Sequence, residues 1–192
     1  MIFFTSDQHL GHANIIKHCF RPFQSTWEMQ ETIIRNYNNR VGVDDIVYCL
    51  GDFFWGVLDV DVSKRFNGHI KLIPGNHDPC HPMRSKRNKF KRIYEQAGIE
   101  VLDAQVEYES ALLGKVLLCH FPEIRCMTGH DMRFSELRPS YDGVVICGHV
   151  HDLWKVKHKS INIGVDSWNF TPVAESELVD TVNALRSGVI LQ

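Results

Sequence analysis

Five short apolar runs, each ending at a polar or glycine-led turn with a potential metal ligand, constrain this chain more than any other feature. The runs are Ile2-Phe3-Phe4, Ile46 to Leu50, Ile70 to Ile73, Val116 to Cys119 and Val144 to Cys147. The turns after them carry Asp7 and His9, then Gly51-Asp52, Gly75-Asn76-His77, His120 and Gly148-His149-Val150-His151. Continuous apolar runs of this length, rich in β-forming residues and bounded by turn residues, read as strands buried on both faces. Strands of that kind need covering layers.

Helical patterns supply them. Ser25 and Glu28 form an S-x-x-E capping box, and Met29, Ile33, Ile34, Tyr37 and Val41 recur at helical spacing to make one buried face. A second helix is expected over 88–97, with Phe90, Ile93, Tyr94 and Ala97 as its apolar stripe. A third is expected over 175–187, with Leu178, Val179, Val182 and Leu185 inward, weakly started at Ala174 and ended by Gly188. A hairpin about Gly114 should join Gln105–Leu113 to Lys115–Cys119, and Ser160 to Val165 should add a strand. Elements alternate first and strands predominate later, which gives an α/β sandwich of two sheets covered by helices. Its site is expected at the carboxyl ends of the strands.

At 192 residues and 44% hydrophobic, the chain can bury one sizeable core. It shows no internal repeat or Pro/Gly-rich linker, so a single domain over 1–192 is expected. The net charge of −2 excludes a globally electrostatic attraction to nucleic acid or anionic membrane. No apolar stretch approaches the roughly 18 to 20 residues of a membrane span, and no basic start or cleavage site precedes Asp7. A soluble, cytoplasmic protein without a membrane partner is the expectation, its oligomeric state open. The six cysteines form no C-x-x-C pair, and three sit in or at the end of apolar runs, as small hydrophobes would.

Taken singly, a D-x-H or a G-D is as readily an ordinary turn. Taken together, five strand-end turns gather two carboxylates, one amide and at least four imidazoles. Phosphoester hydrolysis needs an oxygen nucleophile at neutral pH and neutralisation of phosphate charge, and a metal pair about 3.5 to 4 Å apart supplies both. One carboxylate must bridge the pair, and Asp52 is the candidate. Mixed imidazole and carboxylate ligation suits two divalent or transition-metal ions of Mn, Fe, Zn or Ni.

The ordered set Asp7-x-His9, Gly51-Asp52, Gly75-Asn76-His77-Asp78, His120 and Gly148-His149-x-His151 resembles the signature of the calcineurin-like metallophosphoesterase superfamily. The opening FTSDQHLGHANII and the later RPF are similar to small stand-alone members from bacteria and phages. The resemblance implies a four-layer α-β-β-α sandwich with two mixed β-sheets. It assigns one metal to Asp7, His9, Asp52 and His151, and the second to Asp52, Asn76, His120 and His149. It also places His77 near the leaving group, oriented by Asp78. A hydroxide bridging the metals would attack phosphorus while His77, protonated, assists departure of the alcohol. The implied activity is that of a phosphatase or phosphodiesterase on a small or nucleotide-like phosphoester. A protein Ser/Thr phosphatase is disfavoured, because Phe53-Phe54-Trp55-Gly56 stands where that branch has D-R-G. A small nuclease on DNA or RNA is the alternative, and a non-catalytic module of the same fold follows it.

Other features have competing readings. His12 and Asn14 lie close enough to reach a bound phosphate or to make local loop hydrogen bonds. Arg84, Lys86, Arg87, Lys89, Lys91 and Arg92 form the most basic stretch, read as a solvated helix face in preference to a nucleic-acid surface. The polar stretch 122–142 has the length of a lid or binding loop, with Arg133 and Arg138 as substrate candidates. Phe53, Phe54, Trp55, Trp168 and Phe170 are read as core.

Overall fold

The computed structural model describes residues 1–56, 59–126 and 134–189. Its strands are β1 (Ile2–Thr5), β2 (Ile46–Cys49), β3 (His69–Leu72), β4 (Glu100–Val101), β5 (Gln105–Ser110), β6 (Gly114–Cys119), β7 (Val145–Cys147), β8 (Val156–Lys157), β9 (Ser160–Asn162) and β10 (Val173–Ala174). Its α-helices are α1 (Ala13–His18), α2 (Thr26–Asn38), α3 (Val60–Ser63), α4 (Arg87–Gln96) and α5 (Val179–Arg186). The strands form two mixed five-stranded sheets, ordered β10-β1-β2-β3-β4 and β5-β6-β7-β9-β8. In the first, β1 to β4 run parallel and β10 is antiparallel. In the second, β6, β7 and β9 run parallel, flanked by antiparallel β5 and β8.

Successive strand residues face opposite sides of a sheet, and in this chain both sides are apolar. Phe3, Val47, Cys49, Ile70 and Leu72 meet α2 and α4 in one cluster, while Phe4, Leu50 and Ile73 face the second sheet. There they join Val116, Leu118, Ile146 and Ile161, with Leu178, Val182 and Leu185 closing the same cluster. Leu117, Cys119, Val145 and Cys147 point to the outer face of the second sheet, covered by Phe121, Phe134, Leu137 and Trp154. That layer contains short 3-10 helices at Ile124–Cys126 and Ser135–Leu137. The α/β class with two mixed sheets is thus the one expected. All six cysteines are free thiols, and five are buried.

The elements differ from expectation at their ends. Ser25 caps α2 by accepting from the Glu28 amide at 3.1 Å, but the Glu28 carboxylate takes the Gln24 amide, not that of Ser25. Val41 lies beyond the last turn of α2 and is still buried. The third helix begins as a 3-10 turn, Glu175–Leu178, because Ala174 has no side-chain oxygen to accept an amide. The hairpin turn is 111–113, and Gly114 already pairs with Ser110. Short α1, α3, β4, β8 and β10 are too brief to leave a periodic signal. Among the described residues no helix is long and apolar enough to cross a membrane.

Candidate metal centre

The turns carrying the polar residues leave the carboxyl ends of β1, β2, β3, β6 and β7, and backbone bonds stitch them together. The Asp7 amide donates to Gly51 O, the Gly148 amide to His120 O and the Val165 amide to Ser6 O, at 3.0 Å each. Three glycines permit the close approach. A Cβ on Gly51 or Gly75 would strike the facing backbone and the His120 ring, and one on Gly148 would overlap Ser6 Oγ and the Asp7 carboxylate.

Ligand-type atoms of Asp7, His9 and His151 lie within 4.8 Å of one another, as do those of Asp7, Asp52 and His120. On one side of the site, Asn76 Oδ1 is 3.1 Å from both His120 Nε2 and His149 Nδ1. Between the groups, Asp52 Oδ2 is 3.5 Å from both His9 Nε2 and His120 Nε2. The seven side chains proposed from sequence as ligands therefore come together, although their positions span Asp7 to His151.

Two kinds of frustration mark the place. Asp7 Oδ1 and both ring nitrogens of His9 are buried without a hydrogen-bond partner, a state that carries a desolvation penalty of about 1–3 kcal/mol per group. Ten described non-glycine residues have positive φ, and five of them are Asp7, His9, Asp52, His149 and His151. Backbone of that kind costs on the order of 1–3 kcal/mol per residue and persists where the surroundings impose it. Burial and the neighbouring Asp7 hold the Asp52 carboxyl well above the ordinary carboxylate range. Burial also lowers His9 and His120, leaving neutral imidazoles. Unpartnered lone pairs, crowded carboxylates and neutral imidazoles are what divalent cations satisfy, so the residues present fit such ions.

Supporting groups escaped the sequence reading. His151 Nδ1 is 2.9 Å from Asp166 Oδ2, and Arg21, its side chain fully buried, clamps Asp166 through Nε and Nη2 at 2.7 and 2.8 Å. The same guanidinium donates to Asp7 O at 2.7 Å and Gln8 O at 2.9 Å. One cation thus orients His151 and pins the first ligand turn, the arrangement by which outer partners fix a ligand's tautomer and direction. Burial opposes charge on His151, but its bonds to Asp166 and Cys19 and the charge of Asp7 raise it to about 11. A cation at its other nitrogen must therefore displace a proton. His120 is oriented by Leu50 O, 2.7 Å from Nδ1. The only sequence trace of these partners was the RPF at Arg21; Asp166 left none.

His77 lies at the edge of the group, with Nε2 3.9 Å from Asp52 Oδ2. One expectation about it needs correction. Asp78 is fully buried, and its Oδ2 accepts the Asp52 and Gly75 amides at 2.7 and 2.8 Å, with no hydrogen bond to the His77 ring. It braces two ligand turns because its carboxylate points back under them. Burial and the surrounding imidazoles hold His77 down to about 4 in the metal-free protein. Trp55 is a second correction. It is 43% exposed and stacks on His12 with ring centroids 3.6 Å apart and planes 5° apart, so it belongs to the rim. Phe53 and Phe54 are buried, and Trp168 and Phe170 pack against the cores.

Of the substrate candidates, His12 is buried beside His9 with Nδ1 unpartnered. Asn14 is exposed on α1, Arg138 is buried after the Ser135–Leu137 turn, and Arg133 lies outside the described residues. The long segment contributes Phe134 instead, which lines a cleft of about 290 Å3 with Asp52, His77, His149, His151 and Leu153. The basic side chains from Arg84 to Arg92 are exposed, as a solvated face requires.

Gly148→Ala tests the packing argument. Its Cβ should push the Asp7 carboxylate aside, lowering metal affinity at least about tenfold, within the range seen when supporting groups are lost. Titration with a coloured metal ion such as Co(II), alongside circular dichroism showing retained helix, checks it.

A family model for calcineurin-like phosphoesterases matches residues 1–168. The chain belongs to that family. As a calcineurin-like phosphoesterase it is a hydrolase of phosphate esters that works with divalent metal ions. An uncharacterized protein of Methanocaldococcus jannaschii is 33% identical, over 94% of this chain and 90% of its own. The gene 66 protein of Mycobacterium phage L5 is 31% identical, over 95% of this chain and 94% of its own. A protein of unknown function from Aquifex aeolicus shares the fold at a TM-score of 0.70 and 24% identity, over 95% of this chain and 99% of that one.

Proposed function

We propose that this phosphoesterase hydrolyses a small or nucleotide-like phosphoester at a dinuclear centre. One cation would be held by Asp7, His9, Asp52 and His151, the other by Asp52, Asn76, His120 and His149. The observation that carries this reading is Asp52 Oδ2, equidistant at 3.5 Å from an imidazole of each group. Cations there supply positive charge for the phosphate and water acidified to a pKa of roughly 7. Mn, Fe, Zn and Ni suit the donor set.

The chain's own residues do the rest. Arg21 and Asp166 fix His151, Leu50 O fixes His120, and Asp78 ties the Asp52 turn to the Gly75 turn. His77, neutral beforehand, gains proton affinity when an anionic phosphate lies beside it. It is then placed to give that proton to the departing alcohol oxygen. Phe134 and Leu153 give the cleft apolar walls that suit an organic ester group.

The test is to load purified protein in turn with Mn, Ni, Zn and Fe, count bound metal, and assay phosphomonoesters, cyclic nucleotides, diesters and oligonucleotides. Two metals per chain and metal-dependent turnover are expected. Equal hydrolysis of every substrate by wild type and Asp52→Asn would sink the reading.

A further inference from the structure

His77 stands where two clefts meet. Besides the metal-centre cleft it lines a second one of about 390 Å3, with Gly56, Pro79, Arg84, Lys86 and Phe90. Half-buried Pro79 and Phe90 provide an apolar wall, and exposed Arg84 and Lys86 provide charge. Arg84 is tied to the ligand turn by a bond from Nη2 to Asn76 O, which leaves its Nε and Nη1 without a protein partner among the described residues. Among the described residues neither cation has a carboxylate partner, whereas Lys91 pairs with Glu95 at 3.8 Å. Lys89 lies over the Phe90 ring, and Arg87 and Lys91 line a separate hollow with Asp103.

In hydrolysis the water oxygen bonds to phosphorus, the ester P–O bond breaks, and the leaving alcohol takes a proton. Because His77 lines both clefts, a leaving group attached to phosphorus at the metal centre extends past it into the second cleft. We propose that this cleft seats a nucleoside leaving group bearing its own phosphate, held between Arg84 and Lys86. This rests on the phosphoesterase reading of the metal centre and adds to it the substrate's second anion. An arginine with two free donors beside a lysine suits one phosphate. Two unpaired cations do not make the extended track that a polynucleotide backbone follows.

Two substrate pairs isolate that phosphate: adenosine 3′,5′-bisphosphate against adenosine 3′-monophosphate, and the dinucleotide pApA against ApA. With the P–O3′ bond broken, the leaving alcohol is adenosine 5′-monophosphate (AMP) for the first member of each pair and adenosine for the second, while the scissile phosphate goes to inorganic phosphate in the monoesters and to a further AMP in the dinucleotides. The metal-loaded enzyme should favour the first member by about tenfold in kcat/KM, and Lys86→Gln should erase most of that preference. AMP binding to the metal-loaded protein should weaken about tenfold in Lys86→Gln and stay unchanged in Lys91→Gln, a control on α4 that lines the separate hollow. Hydrolysis with no effect of Lys86 on preference or AMP binding overturns the cleft assignment and leaves the hydrolase standing. Lys86-dependent AMP binding without turnover of any ester supports the cleft and overturns the hydrolase reading. Affinity that climbs with each added nucleotide and collapses with salt overturns the single-phosphate seat in favour of a polymer.

Discussion

Asp52→Asn should cut kcat/KM by more than about a hundredfold and drop bound metal from two per chain toward one. Outer partners of metal ligands account for about 10–100-fold when removed, and Asp52 is proposed as a ligand to both cations. The same substitution should have the opposite sign on the metal-free fold. Burial and Asp7 raise the Asp52 pKa above its ordinary value. A carboxyl raised in the folded state contributes stability that is present below the ordinary carboxylate range and lost as pH rises through the raised pKa. Asparagine mimics the protonated form and keeps an oxygen for the His77 amide, which Asp52 Oδ1 accepts at 2.8 Å. Metal-free Asp52→Asn should therefore melt higher than metal-free wild type at neutral pH, with the gap closing in acid. Added metal should stabilise wild type more than the variant. Thermal melts across pH, with and without metal, check both signs; a metal-free variant less stable than wild type at neutral pH would contradict the crowding argument.

Arg21→Met should destabilise the protein by about 3–5 kcal/mol, the usual consequence of removing one member of a buried ion pair. The substitution strands Asp166 with His151 as its one charged partner, and it frees the carbonyls of Asp7 and Gln8 from their guanidinium donors. Metal affinity should fall as well, about 10–100-fold, because His151 and the Asp7 turn lose their common anchor. Arg21→Lys should fall between, since an ammonium keeps the charge but cannot match the carboxylate with two parallel bonds. Adding Asp166→Asn to Arg21→Met should restore part of the lost stability while leaving the metal site weak, a non-additivity expected of contacting partners. Urea titrations and metal titrations of wild type, Arg21→Met, Asp166→Asn and the double variant complete the cycle and separate the two effects. Stability losses that simply add would mean that Arg21 and Asp166 do not act as a unit.

Several features of this molecule were legible because they are local. The alternation of Phe3 with Phe4 and of Leu117 with Leu118 sorts a strand's side chains between two cores, and a run of apolar residues records it. Ser25 and Glu28 announce α2 four residues before its buried face begins, since a cap acts within one turn. Strand-end turns carry their polar donors in plain view, so Asp7, His9, Asp52, Asn76, His120, His149 and His151 could be named from the chain as candidate ligands. Trp55 misled for the same reason: beside Phe53 and Phe54 it looks like more core, and only the direction of the turn sends it outward to stack on His12.

What the chain determined alone is its class of elements and the inventory of donors at their ends. What folding alone decided is which atom each donor meets. Arg21 and Asp166 are separated by 145 positions, and the Asp78 carboxylate turns to backbone amides of Asp52 and Gly75 instead of the ring beside it in sequence. Periodicity and capping depend on neighbours within a turn or a strand. The partner of a buried charge depends on which distant segments closure of the two sheets brings within hydrogen-bond reach, and a carboxylate denied water takes the donors it finds there.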